Sequence, residues 1–260
     1  MCRISVVTIC FNNLEELKKT CTSVDEQHEL PYEHLIIDGS KTDEIAKWLN
    51  SSSQPVYRKW ICEPDKGIAD AFNKGIQRST GEVVHLLNAA DVYASDDVLK
   101  EVSNAFTLHP NAQWLSGKIR MIRVGKKVVV GKPFDPMKLY RGMRSVSHPT
   151  WFVKRSVYQQ VGDYDLRYKI AMDYDMMCRL KNVEAAFINL PLIDFDDSGV
   201  STQNYLDALS ETRQAYISHF GYSLKMEIWH LRLKLLHLLQ QTSLGRHLFA
   251  LKRFLGLENM

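Results

Sequence analysis

Four apolar runs, each followed by a stretch with helical spacing, fill the first 110 residues and constrain the fold more than any other feature. "ISVVTIC" (Ile4–Cys10), "HLIID" (His34–Asp38), "YRKWICE" (Tyr57–Glu63) and "VVHLL" (Val83–Leu87) read as strands. Leu14–Val24, Thr42–Leu49, Gly67–Gln77 and Asp96–Leu108 repeat their apolar residues as helices do. Strands this apolar leave no wet face, so the alternation predicts an α/β protein with a mostly parallel sheet covered on both sides. Ligands of such sheets bind beyond the carboxyl ends of the strands, where strand order reverses. Thr8–Asn12, Asp38 and Asp91 all fall at such ends.

The pattern changes after residue 110. Gln113–Pro133 alternates and carries glycine breaks, as hairpins do. A helix is expected over Tyr174–Lys181, followed by short strands, and from Gln203 the chain reads helical to its end. The expected division is a ligand-binding α/β half (1–110), a second half of the same domain (111–202) and a helical segment (203–260). Five scattered cysteines without a CxxC pair indicate neither a disulfide framework nor a zinc site, which suits a reducing cytoplasm. No run approaches the roughly 20 apolar residues of a membrane span, and the first apolar run lacks a signal-peptide cleavage pattern.

Net charge is +3, but Lys225–Met260 alone carries six Lys/Arg against two Glu. The basic character therefore belongs to the tail, and no nucleic-acid partner is expected. The tail mixes Leu, Trp and Phe with cations. That suits an amphipathic helix on an anionic membrane, or a helix that packs its leucines inward and keeps its charges wet. His230 and His237 lie seven apart there without an acidic or cysteine partner for a metal.

No GxGxxG follows the first strand and no GxxxxGK[ST] occurs, which removes the main support for dinucleotide and P-loop sites. What stands instead is a series: "SVVTICFNN", "LIIDGSKTDE", "EPDKGIADAFNKGI", "STGEVVHLLNAADVY", "SHPTWF" and "IAMDYDMMCRL". In this order they resemble the successive signatures of family 2 glycosyltransferases, above all bacterial exopolysaccharide enzymes of the colanic-acid type. The match runs in register from Ile4 to about Ser201.

The resemblance implies a GT-A fold and a nucleoside-diphosphate sugar donor carrying UDP or GDP. It implies nucleotide-sugar contacts at Thr8, Asn12, Asp38, Asp65 and Asn73. Most relatives end the fourth strand in Asp-x-Asp; here Ala89 takes the first place and Asp91 remains to hold manganese or magnesium, with Asn88 supporting it. A single carboxylate suffices for a hard cation that also binds phosphates and water. The family's catalytic base falls on Asp173, with Asp175 the competitor two residues on and Met172 where relatives carry Glu. His148 matches a histidine placed to help the diphosphate leave, and Arg179 is either a phosphate contact or a salt bridge of the fold. "DFDD" (Asp194–Asp197) with "SGVS" resembles a turn on the acceptor side. No Q-x-x-R-W motif of processive synthases occurs, so transfer of one sugar is expected, to a saccharide or lipid-linked acceptor at the inner membrane face. The losses at Ala89 and Met172 leave a non-catalytic nucleotide-sugar-binding protein as the alternative; a nucleotidyltransferase would want a glycine-rich basic loop where "TICFNN" stands.

Overall fold

Two-residue alternation in strands buried on both sides decides the architecture. In the computed structural model, which describes residues 2–123, 126–143, 146–195, 204–243 and 245, strand β1 (Ile4–Cys10) runs through the centre. Its Val7 joins the core on one face of the sheet; Ile4 and Val6 join the core on the other. β2 (Glu33–Asp38) and β3 (Arg58–Cys62) lie parallel to it on one side, and β4 (Val83–Leu86) on the other. The order β3-β2-β1-β4 makes the parallel half. Its connections are α1 (Leu14–Asp25), α2 (Glu44–Ser51) and α3 (Ile68–Arg78). Leu17, Thr20, Cys21 and Val24 give α1 a single buried stripe. α3 lies so close to the sheet that a Cβ on Gly75 would fall 2.2 Å from Val7 Cγ1.

The second half is mixed. The two-residue β5 (Val92–Tyr93) and α4 (Val98–Leu108) precede a hairpin of β6 (Trp114–Arg123) and β7 (Lys126–Val130), as the alternation predicts. β8 (Phe152–Lys154) inserts antiparallel between β4 and β6, and β9 (Ala185–Asp194) runs parallel to β6 with a register shift at Ser116–Lys118. Thus the sheet is parallel only in part. α5 (Arg155–Val161) and α6 (Met172–Arg179) pack on the α3 side, and α6 begins two residues earlier than the sequence pattern implies. The chain then forms α7 (Tyr205–Phe220) and α8 (Leu224–Gln241). Asp196, Asp197 and the following "SGVS" lie outside the described residues, as does the tail from 246.

A buried polar chain ties α1 to the sheet. Arg58 Nε donates to His34 Nδ1 (3.2 Å), so the neutral ring, held uncharged by burial, offers its Nε2 proton to Thr8 Oγ1 at 2.9 Å. Arg58 Nη2 reaches Asp25 at 2.6 Å, and the Tyr57 hydroxyl donates to the same carboxylate. Thr8 is fully buried within this chain. The expectation that it borders a nucleotide is therefore corrected: it faces inward from mid-strand.

Candidate active site

At the carboxyl ends of β1 and β2 the loops are stitched together. The Asn12 N–H donates to Ser40 Oγ (2.8 Å), and Asn12 Oδ1 accepts from the Lys41 N–H (3.3 Å). Asn12 adopts a left-handed conformation (φ 54°), which Asn tolerates better than most residues. Asp38 Oδ1 accepts the Ser40 N–H at 2.9 Å, an Asx turn, and the carboxylate is almost wholly buried. Asp38 thus shapes the loop with one oxygen and does not stand open to a base. Asp65, at the end of the β3 segment, accepts the Gly67 N–H and lies against Gly39, where any Cβ would meet its Oδ2 at 1.7 Å. Phe11, in the loop after β1, stands 51% exposed, an aromatic face that sequence reasoning passed over. Its signal was its place directly after the first strand.

The fourth strand ends in a strained turn. Ala90 has φ 89°, uncommon for a residue with a Cβ. Thr20 of α1 accepts the Ala90 N–H (3.1 Å) and lies 2.9 Å from the Asp91 carbonyl, while the Asp91 N–H reaches the Asn88 carbonyl. Strain of this kind persists only where its surroundings over-determine it. Asp91 is buried, and Asn88 Oδ1 is buried without a hydrogen-bond partner.

Antiparallel pairing of β8 with β4 and β6 brings the turn His148–Thr150 beside the end of β4; His85 Nε2 contacts the Pro149 carbonyl at 2.8 Å. Four of the five buried polar atoms that lack a partner among the described residues are Asn88 Oδ1, Ser116 Oγ, Trp151 Nε1 and Asp173 Oδ1; Trp151 directly follows that turn, and Asp173 Oδ1 lies 3.6 Å from His148 Nε2. Each unmet group costs about 1–3 kcal/mol unless water or a ligand completes its bonding.

Asp173 opens α6. Its side chain keeps 26% of its surface exposed while Oδ1 is enclosed, and burial pushes its carboxyl up to about 7. His148 Nε2 lies 3.6 Å from Oδ1 and 3.0 Å from the Tyr164 hydroxyl, with Phe72 and Trp151 against its ring. Burial pulls His148 down to about 3, so it is neutral at physiological pH. Burial disfavours the charged ring, and His148 stands as a buried neighbour of the Asp173 carboxylate. Asn73 is corrected too. Its amide exchanges two bonds with the backbone of Tyr164, 2.7 and 2.9 Å, and so it holds the tyrosine rather than facing a ligand.

Asp175, the competitor, is buried and fully engaged: Oδ2 with Arg179 Nη2 and Oδ1 with His219 Nε2, both at 2.7 Å. Arg179 also caps the carbonyls of Val161, Gly162 and Asp163 at the end of α5. Both are structural. Sequence reasoning missed Glu211 of α7, whose Oε2 lies 2.8–3.0 Å from the N–H groups of Lys169, Ile170 and Ala171 at the start of α6. His230, on the inner face of the helix Leu224–Gln241, meets the Leu209 carbonyl, and His237 stacks on Tyr205.

Among the described residues no three His, Cys, Asp or Glu side chains form a metal cluster. The donors at the β4 turn, the Asp91 carboxylate and the unmet Asn88 oxygen, are hard oxygens. They fit a magnesium- or manganese-type ion that arrives with phosphates and water, not a preformed cage. A cleft of about 570 Å³ lined by Arg3, Gly81, Phe106 and Lys154 lies at the opposite, amino end of β4 and contains none of these residues.

The glycosyl transferase family 2 profile matches residues 5–162. An uncharacterized glycosyltransferase of Mycobacterium tuberculosis (Rv1514c) is 34% identical over 204 residues, covering 76% of this chain and 77% of that one. The PGL/p-HBAD biosynthesis glycosyltransferase of Mycobacterium bovis is 26% identical over 177 residues, 67% and 68% of the two chains. Among solved structures, Staphylococcus aureus TarS 1–349 in complex with UDP-GlcNAc superposes with a TM-score of 0.63 at 13% identity, over 88% of this chain and 70% of that one. The mannosyltransferase PcManGT from Pyrobaculum calidifontis, in complex with GDP-Man and Mn2+, gives 0.61 at 14% identity, over 99% and 81%. These likenesses place the mixed sheet and its helices in the GT-A fold. With the family profile spanning more than half of its residues and a relative one third identical over most of both chains, the chain belongs to glycosyl transferase family 2.

Proposed function

We propose that the chain is an inverting, hexosyl-type transferase that moves one sugar from a UDP- or GDP-sugar to a hydroxyl of a saccharide or lipid-linked saccharide in surface polysaccharide synthesis. The observation that carries the reading is Asp173. It is a carboxyl at a helix start, raised to about 7, with one oxygen unmet and the side chain partly open. A general base works best with a pKa near the working pH. Asp173 takes the acceptor hydroxyl's proton as that oxygen attacks the anomeric carbon; the bond to the diphosphate breaks and its electron pair leaves with the nucleotide. One displacement inverts the anomeric centre, through an oxocarbenium-like transition state.

Support for the donor class comes from the structural neighbours bound to UDP-GlcNAc and GDP-Man. Asn12, Asp38 and Asp65 frame the nucleotide loops, and Phe11 offers the base a face to stack on. A divalent cation held by Asp91, with Asn88 beside it, supplies neutralisation of the leaving diphosphate when bound. The 1–110 half is assigned to the donor and the 111–202 half to the acceptor.

Asp173→Asn tests the reading. It is expected to lower transfer at least about a thousandfold while UDP or GDP binding, measured calorimetrically with manganese, changes less than about threefold. Full activity in the variant would remove Asp173 as base. A wild-type protein that binds nucleotide but transfers nothing would favour a binding role. Asp91→Ala is expected to abolish the manganese dependence of nucleotide binding.

A further inference from the structure

α8 carries a second apolar face that nothing among the described residues covers. Its inner face is Met226, His230 and Leu233, all buried. On the outer side Leu224, Ile228, Leu231, Leu235 and Leu238 recur at steps of four and three, and each is between 53% and 64% exposed. At 100° per residue they share an arc of about 80°. Folded proteins seldom leave five large aliphatic side chains in one exposed stripe unless it meets something.

The borders of the stripe say what. Lys225 and Arg232 flank it on one side and Lys234 on the other, all exposed, while Glu227 is neutralised by Arg213 at 2.6 Å. A second copy seated antiparallel on the stripe would set Arg232 against Arg232 and Lys234 against Lys234. A parallel copy would depend on Glu227, which Arg213 already holds. An apolar stripe flanked by Lys225 and Arg232 on one side and Lys234 on the other is instead complementary to lipid tails beneath anionic headgroups. No described helix is long and apolar enough to cross a membrane, so the contact is one of lying on the surface.

We infer that the outer face of α8 docks the protein on an anionic lipid surface, with Leu224, Ile228, Leu231, Leu235 and Leu238 entering the headgroup boundary and Lys225, Arg232 and Lys234 pairing with phosphates. The inner face keeps the helix fixed to the rest of the chain: Trp229 Nε1 donates to the Arg141 carbonyl, and the Tyr140 ring meets Trp229 edge-on. Docking therefore orients the whole molecule. The inference is independent of the sugar site, because α8 contains none of that site's residues.

The test is flotation of the full chain with vesicles of phosphatidylcholine alone and with added phosphatidylglycerol, beside Leu231→Gln/Leu235→Gln and Lys225→Glu/Lys234→Glu variants. Partitioning is expected to be at least about tenfold stronger on anionic vesicles. The leucine variant should lose about tenfold or more on them, and the charge variant should lose the preference for anionic lipid. Folding is verified by an unchanged thermal midpoint and unchanged UDP or GDP binding, so a wrong reading of the sugar site shows in nucleotide binding and not in flotation. Equal partitioning of wild type and leucine variant, or no preference for anionic vesicles, would overturn the inference. A wild-type dimer that the leucine variant dissociates would assign the stripe to a second copy instead.

Discussion

Asp173 and His148 are neighbours whose protons burial moves in opposite directions, one up to about 7 and the other down to about 3. The pH dependence of transfer should therefore show one rising limb. Below about pH 7, kcat/KM is expected to climb roughly tenfold per pH unit as Asp173 loses its proton, and to level off above. A profile flat from about pH 5 to 8 would contradict this. The same burial acts on stability. A carboxyl raised above its unfolded value binds its proton more tightly in the native state, so its contribution is fully present below about pH 4 and is lost as pH rises through about 7. Asp173→Asn removes the cost of the buried charge. At pH 8 the variant is expected to be more stable than wild type by on the order of 2 kcal/mol, with little difference near pH 4. Denaturant melts at the two pH values measure it, and a variant destabilised at pH 8 would refute the assignment.

At the scale of elements, the start of α6 is held from outside. Three backbone N–H groups converge on Glu211 of α7, and Asp175 is gripped by His219 of the same helix. Glu211→Gln keeps the shape but removes the charge facing the helix amino end, so stability should fall by about 1 kcal/mol. Because α6 carries Asp173, kcat should fall by about tenfold while nucleotide affinity stays constant; an unchanged kcat would show that the contact only stabilises. None of this was legible in the sequence, where Glu211 is one more polar position on an ordinary helix. Asp173 could be singled out in the sequence because a motif surrounds it. Thr8 and Asn73 were misjudged for a related reason: a motif names a polar residue but not the direction it faces, and tertiary contacts with His34 and Tyr164 turned both inward.

For the whole molecule, the same division holds between what local pattern fixes and what only assembly fixes. β1, β2 and β4 announce themselves as mainly apolar runs, as parallel strands buried on both faces do, while β3 at the sheet edge carries Arg58 and Lys59 and is only partly buried. β5 and β8 are two and three residues long, and such strands have no periodicity; they exist because β9 and β4 present edges to them. The sequence shows the segment from 203 only as helical, whereas α7 is tied to the 111–202 half through Glu211, His219 and the buried Ala215. A chain ending at Gln203 therefore leaves Asp175 buried with one partner gone and uncovers the α6 side of the core. Leaving a buried carboxylate oxygen without its partner costs about 1–3 kcal/mol, a real share of a typical domain's stability. That truncation is expected to melt well below the full chain and to lose nucleotide binding. A chain ending at Ser223 gives up only the packing of α8. It should keep a cooperative melt and bind UDP or GDP as the full chain does. If the shorter chain melted like the longer one, α7 would be an accessory and the control of Asp173 would lie within residues 1–203.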